Sequence, residues 1–110
     1  GLRGYKARHN LAILHLEEGQ FEEAEKQWRM AIAERPDFLP AWLGLGDLSL
    51  RRGDWPALEE VAQRVRGAAN GEVEADVLRA RGLLARRAFA AARQLLQQCV
   101  CRRPEALGRG

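Results

Sequence analysis

The sequence predicts an all-α fold, a solenoid of about six helices arranged as helix pairs. Three observations lead there. The stretch "GQFEEAEKQWRMAIAERP" at residues 19–36 returns thirty-four residues later as "GDWPALEEVAQRVRGAAN" and thirty-four later again as "RAFAAARQLLQQCVCRRP". Within each copy the apolar residues recur at steps of three and four, the spacing of one helix face. Good helix formers dominate throughout, threonine is absent and Ser49 is the only serine, a composition that does not favour strands.

Taken in chain order, "YKARHNLAILHLEE" forms a first helix that ends before Gly19, a residue suited to leaving a helix with positive φ. The second helix carries the stripe Phe21, Ala24, Trp28, Ala31 and Ile32. Its opposite face holds Glu22, Glu23, Glu25, Lys26 and Arg29, with Glu22–Lys26 and Glu25–Arg29 spaced for i,i+4 pairing. Pro36 closes the unit. "LPAWLGLGDLSLRR" is the third helix, followed by Gly53 in the same place as Gly19, and the fourth repeats the stripe as Trp55, Leu58, Ala62 and Val65. Asn70, a turn former, stands where Pro36 and Pro104 close the other units. "VEADVLRARGLLAR" is the fifth helix, and the sixth carries Phe89, Ala92, Leu96 and Cys99. The units run 5–38, 39–72 and 73–106, the last with an atypical first helix. The only methionine is Met30 and the chain opens on helix-like sequence, so a fragment of a longer protein is expected.

There is no run of eighteen apolar residues, no leader and no lipidation box, so no membrane partner is expected. Cys99 and Cys101 are too few for a disulfide framework and point to roughly opposite helix faces, which fits a reducing, cytoplasmic compartment. Cys99 takes the small slot that Ala31 fills in the first unit and reads as a core cysteine. The net charge of +3 is concentrated at the C-terminal end, in Arg79, Arg81, Arg86, Arg87, Arg93, Arg102 and Arg103. Without interleaved exposed aromatics for stacking, that end reads as a solvated surface and not as a nucleic-acid site.

Catalytic and cofactor chemistry finds no support. "GLGDLS" at residues 44–49 lacks the strand that precedes a phosphate-cradling loop and falls mid-helix at small packing slots. His9 and His15 are six apart, which does not stack two metal ligands on one face; His15 reads as a packed histidine. Ser49 has no histidine and acid at a recognisable spacing. The pairs Glu17–Glu18, Glu22–Glu23 and Glu59–Glu60 read as solubilising charge. No cofactor and no metal are called for.

The residues quoted above resemble the tetratricopeptide repeat family over residues 5 to 104. Trp42, Leu45 and Gly46 carry the first-helix pattern; Gly19, Phe21, Ala24, Trp28, Ala31 and Pro36 carry the second, with Gly53, Trp55, Leu58, Phe89, Ala92, Leu96, Cys99 and Pro104 as later counterparts. The resemblance implies a right-handed superhelix of antiparallel helix pairs. Asp76 and Arg79 stand where that family expects large apolar residues, which implies a fifth helix rotated or shifted by one residue, with Asp76 and Arg79 pairing at i,i+3 if exposed. No polar capping helix follows Pro104, so an apolar end is expected, covered by more chain or by a second copy.

By the same resemblance the first helix of each unit lines a concave groove that takes a peptide or helix of a protein partner. The inward positions carried over are His9, Ile13, Leu16 and Glu17, then Leu43, Asp47, Leu50 and Arg51, then Val77, Arg81 and Leu84. Members that clamp a chaperone's C-terminal carboxylate place lysine, asparagine and arginine at five sites that here read His9, Ile13, Gly44, Glu74 and Leu78, so that ligand is not expected. The opening "GLRGYKARHNLAILHLEEGQFEEAE" also resembles the passage from catalytic domain to repeats in bacterial family 2 glycosyltransferases, which implies a non-catalytic appendage of a larger enzyme.

Overall fold

A computed structural model describes residues 4–68 and 71–102. Asn70 and Pro104, two of the three unit-closing residues, lie outside the described residues, as does Arg103. Six helices follow one another: α1 (Gly4–Glu17), α2 (Phe21–Glu34), α3 (Leu39–Arg52), α4 (Trp55–Arg66), α5 (Glu72–Ala85) and α6 (Phe89–Arg102). No strand occurs among the described residues.

The turns inside the three pairs are copies of one another. Gln20 N–H donates to His15 O at 2.8 Å, Asp54 N–H to Ser49 O at 3.0 Å and Ala88 N–H to Leu83 O at 2.8 Å, each satisfying a terminal helix carbonyl by the same six-to-one bond. That bond needs a left-handed residue at the preceding position, and Gly19, Gly53 and Arg87 supply it at φ 79°, 69° and 62°. Arginine pays a Cβ penalty there that glycine does not. Arg87→Gly is expected to stabilise the fold by about 0.5–1 kcal/mol, read as a melting temperature higher by a few degrees; an unchanged or lower value would contradict the strain. Asp54 adds a side-chain cap, accepting from Ala57 N–H at 3.2 Å, and Pro40 and Pro56 sit in first turns where no N–H is missed.

Each helix packs on the next in sequence, α3 also packs on α1, and α5 also packs on α3. The result is an array of extents 43 × 29 × 22 Å. Its radius of gyration of 14.7 Å exceeds the about 13 Å of a compact domain of this length. The core runs through the array as one cluster from Ala12 and Leu16 to Ala75 and Leu78.

What joins one pair to the next is a matching of large and small side chains. Trp28, buried on α2, lies against Gly44 of α3, where an added Cβ would come within 2.2 Å of the indole ring. Thirty-four residues on, the same two slots hold Ala62 and Leu78, both buried. Leu58 of α4 lies against Gly82 of α5, where a Cβ would meet its Cδ2 at 2.5 Å, and the earlier counterparts are the buried pair Ala24 and Leu48. In these two slot pairs a large residue on one side is matched by a small one on the other, so total volume is kept while the chemistry changes.

The structure corrects two expectations for α5. The left-handed turn residues keep the thirty-four-residue spacing, and Ala12, Gly46 and Ala80 occupy one buried slot, so the helix is not shifted. Nor do Asp76 and Arg79 pair with each other. Asp76 is 1% exposed and bound by the Arg66 guanidinium at the end of α4, while Arg79 meets Glu59 at 3.2 Å. Their counterparts one repeat earlier, Ile32 and Trp42, are apolar and pack on the core, so an ion pair has replaced an apolar pair at one joint.

Candidate ligand-binding face

Curvature follows from which helices touch. α1, α3 and α5 pack in series, whereas α2, α4 and α6 make no direct contact with one another among the described residues. An array whose first helices are close and whose second helices are splayed is concave on the first-helix side.

The concave side has a fixed register. His9, Leu43 and Val77 form one row across α1, α3 and α5; Ile13, Asp47 and Arg81 form the next; Leu16, Leu50 and Leu84 the third; Glu17 and Arg51 begin a fourth. Ile13, Val77 and Leu84 are exposed, and Leu43 and Leu50 are half-buried against the core. Leu16 is interior, part of the buried core, and so drops out of the apolar stripe expected of Leu16, Leu50 and Leu84. The charges of this face engage one another. Arg81 reaches Asp47 at 3.1 Å, Arg51 reaches Asp47 at 3.9 Å and Glu17 at 3.5 Å, giving a ladder from α5 to α1. All four are solvent-accessible, so each bond contributes about 0–1 kcal/mol and exchanges readily with a ligand's charges.

His9 stands at the edge of this face with its ring turned inward. Its Nδ1 accepts from Trp28 Nε1–H at 2.9 Å, and Phe38 meets it edge-on at 5.5 Å. Accepting at Nδ1 fixes the neutral tautomer with the proton on Nε2. Burial holds the imidazole below its ordinary pKa of 6.5. The folded state therefore disfavours protonation: stability is complete above about pH 6.5 and is lost as pH falls from there through the lowered folded value. His9→Gln, which accepts from Trp28 without titrating, is expected to flatten thermal-melt profiles below pH 6.5. A slope as steep as before would assign the pH dependence to another group.

Other candidate residues are accounted for locally. His15 Nδ1 lies 2.5 Å from Gln20 Oε1 at the α1–α2 turn, and Ser49 Oγ donates to Leu45 O inside α3. Two of the five carboxylate-clamp positions are not on the concave surface, since Gly44 lies under Trp28 and Leu78 is in the core. Leu43 and Val77, which share the row of His9, are apolar and supply no clamp cation. Cys99 is buried and Cys101 exposed, both free thiols. Four arginines of the basic end have partners within the chain, Arg79 and Arg81 in ion pairs, Arg86 over the Trp55 ring at 4.9 Å and Arg87 over Phe89 at 5.7 Å. Among the described residues no group of three His, Cys, Asp or Glu side chains is placed to hold a metal ion, and no helix is long and apolar enough to cross a membrane.

The sequence reading missed a second concavity, an open crevice of ≈ 660 Å³ on the splayed side between α2 and α4. Apolar Ile32, Leu39 and Trp42 line it together with Arg29 and Arg64. Arg64 stacks over Trp42 at 5.2 Å, and the indole N–H is held by Pro36 O at 3.0 Å. The signal was there in Trp42, which the repeat pattern marks as structural and which is only half-buried.

No curated protein matches the chain. Residues 6–48, which span α1, α2 and most of α3, match a family model described as Tetratricopeptide repeat. That match carries no glycosyltransferase assignment and covers the first helix pair and most of α3; the six helices in register make the array a helical-repeat solenoid.

Proposed function

We propose that the chain is a non-catalytic interaction scaffold of three helix-pair repeats, 5–38, 39–72 and 73–106, that holds an extended peptide or a helix of a protein partner along α1, α3 and α5. The observation that carries this reading is the row structure of the concave side, where exposed Ile13, Val77 and Leu84 alternate with the charge ladder Glu17–Arg51–Asp47–Arg81. Apolar anchors with flanking charges of both signs suit an amphipathic segment read at alternate or helical spacing. Peptides selected from a random library on the whole chain provide the ligand for a test. Ile13→Glu and Val77→Glu, both at exposed positions, are expected to weaken binding of the selected peptides tenfold or more with the helical circular-dichroism signal unchanged. Undiminished binding by both variants would remove the groove.

A second reading rests on the opening stretch alone. There the array is an appendage of a larger enzyme, a family 2 glycosyltransferase by resemblance, with the chemistry in another domain and these repeats serving to dock it.

A further inference from the structure

Among the described residues, α1 and α6 expose the faces that the joints between pairs bury. Leu45 and Leu48 of α3 are 3% and 2% exposed where they pack on the preceding pair, but the same slots of α1 hold Leu11 and Leu14 at 41% and 54%. At the other end Ala62 of α4 is 2% exposed beneath α5, and its counterpart Leu96 of α6 is 36% exposed, in an open apolar trough with Leu84, Phe89, Ala92 and Val100.

We infer that the partner for this trough is α1 of a second copy of the chain, docked as α3 docks on α1 and α2 and as α5 docks on α3 and α4, so that copies stack head to tail. Three repeats of thirty-four residues bring the second copy's α1 into register, which fixes the pairing slot by slot. Where α2 presents Ala24 to Leu48, α6 presents Ala92 to Leu14 of the second copy, the same small-against-large match. Where Trp28 meets Gly44 and Ala62 is matched by Leu78, Leu96 meets the intermediate Asn10. Charge agrees as well. At the first joint Glu25 binds Arg52 at 2.9 Å; in the corresponding slots of the stacked copies stand Arg93 and Glu18, opposite in sign with the sides exchanged, and neither has an ion-pair partner among the described residues. The surface used by one copy differs from the surface used by its neighbour, so the contact is heterologous and does not saturate at a dimer: every added copy presents a new free head or tail.

Sedimentation of the whole chain tests the stacking. Average mass is expected to rise with concentration from the 12.3 kDa monomer without stopping at the dimer. Leu14→Glu blocks the head and Leu96→Glu blocks the tail, both at exposed positions that leave the fold intact, and each variant alone is expected to stay monomeric. Mixed in equal amounts they are expected to form a dimer and nothing larger, because each retains the surface the other lacks. Arg93→Glu is expected to weaken association roughly tenfold, and Arg93→Glu with Glu18→Arg to restore it. A parent chain that remains monomeric across the micromolar range would overturn the inference, showing the trough to be covered otherwise. A Leu14→Glu chain that still associates would also overturn it, since the tail would then be pairing with another tail.

Discussion

Trp28→Ala is expected to cost about 3–5 kcal/mol, enough to bring a small array close to unfolding at room temperature. The indole is buried, lies directly on Gly44 and donates its N–H to His9, so truncation opens a cavity at the first joint and leaves His9 Nδ1 without its donor. Urea titration followed by circular dichroism measures the loss. The sharper expectation concerns its reversal. Because Ala62 and Leu78 fill the equivalent slots at the next joint, Trp28→Ala combined with Gly44→Leu copies a pairing the molecule already uses. Gly44→Leu alone drives a side chain into the indole and is itself destabilising. The double variant is expected to be more stable than either single one, with a coupling of about 1–3 kcal/mol. Simple additivity would show that the joints are not built on exchangeable large and small partners.

The second large effect is expected at Arg66. Asp76 is almost wholly buried, and Arg66, itself partly exposed at the end of α4, is the cation that binds it. Removing Arg66 takes away the cation that offsets the burial of this carboxylate, so Arg66→Ala is expected to cost about 2–4 kcal/mol, reduced from the full buried-pair value by the exposure of the arginine and by the other interaction Asp76 makes. Replacing both partners by their counterparts from the first joint, Arg66→Ile with Asp76→Trp, is expected to be neutral or stabilising. Chemical denaturation of the two variants separates these outcomes. A double variant as unstable as Arg66→Ala would mean that the second joint cannot take the apolar packing of the first, and that the ion pair is required there.

Helix number, pairing and turn positions were legible because the thirty-four-residue period is written in residues with strong local preferences. Glycines at 19 and 53 mark two of the turns, the stripe from Phe21 to Ile32 marks a buried face, and Arg87 follows from the spacing although no arginine advertises a left-handed turn. The ion pair at Asp76 was not legible, since its partner lies ten residues away across a turn and the nearer Arg79 satisfies the i,i+3 rule equally well. Leu16 shows the limit of carrying positions from row to row. Leu84 in the same slot is exposed, and the difference goes with the neighbours, because α1 has α3 packed on it while α5 has no later first helix packed on it among the described residues. The crevice around Trp42 depends on the splay of α2 from α4, a property of helix packing that no single residue encodes.

Where a ligand touches the array is the most direct question to put to it. Backbone amide chemical shifts of the whole chain, recorded as a selected peptide is titrated, answer it residue by residue. The concave-face reading predicts that the largest perturbations fall on Ile13, Leu43, Asp47, Val77 and Arg81, on α1, α3 and α5 together. Perturbations confined to Arg29, Ile32, Trp42 and Arg64 would place the ligand in the crevice between α2 and α4 and contradict it.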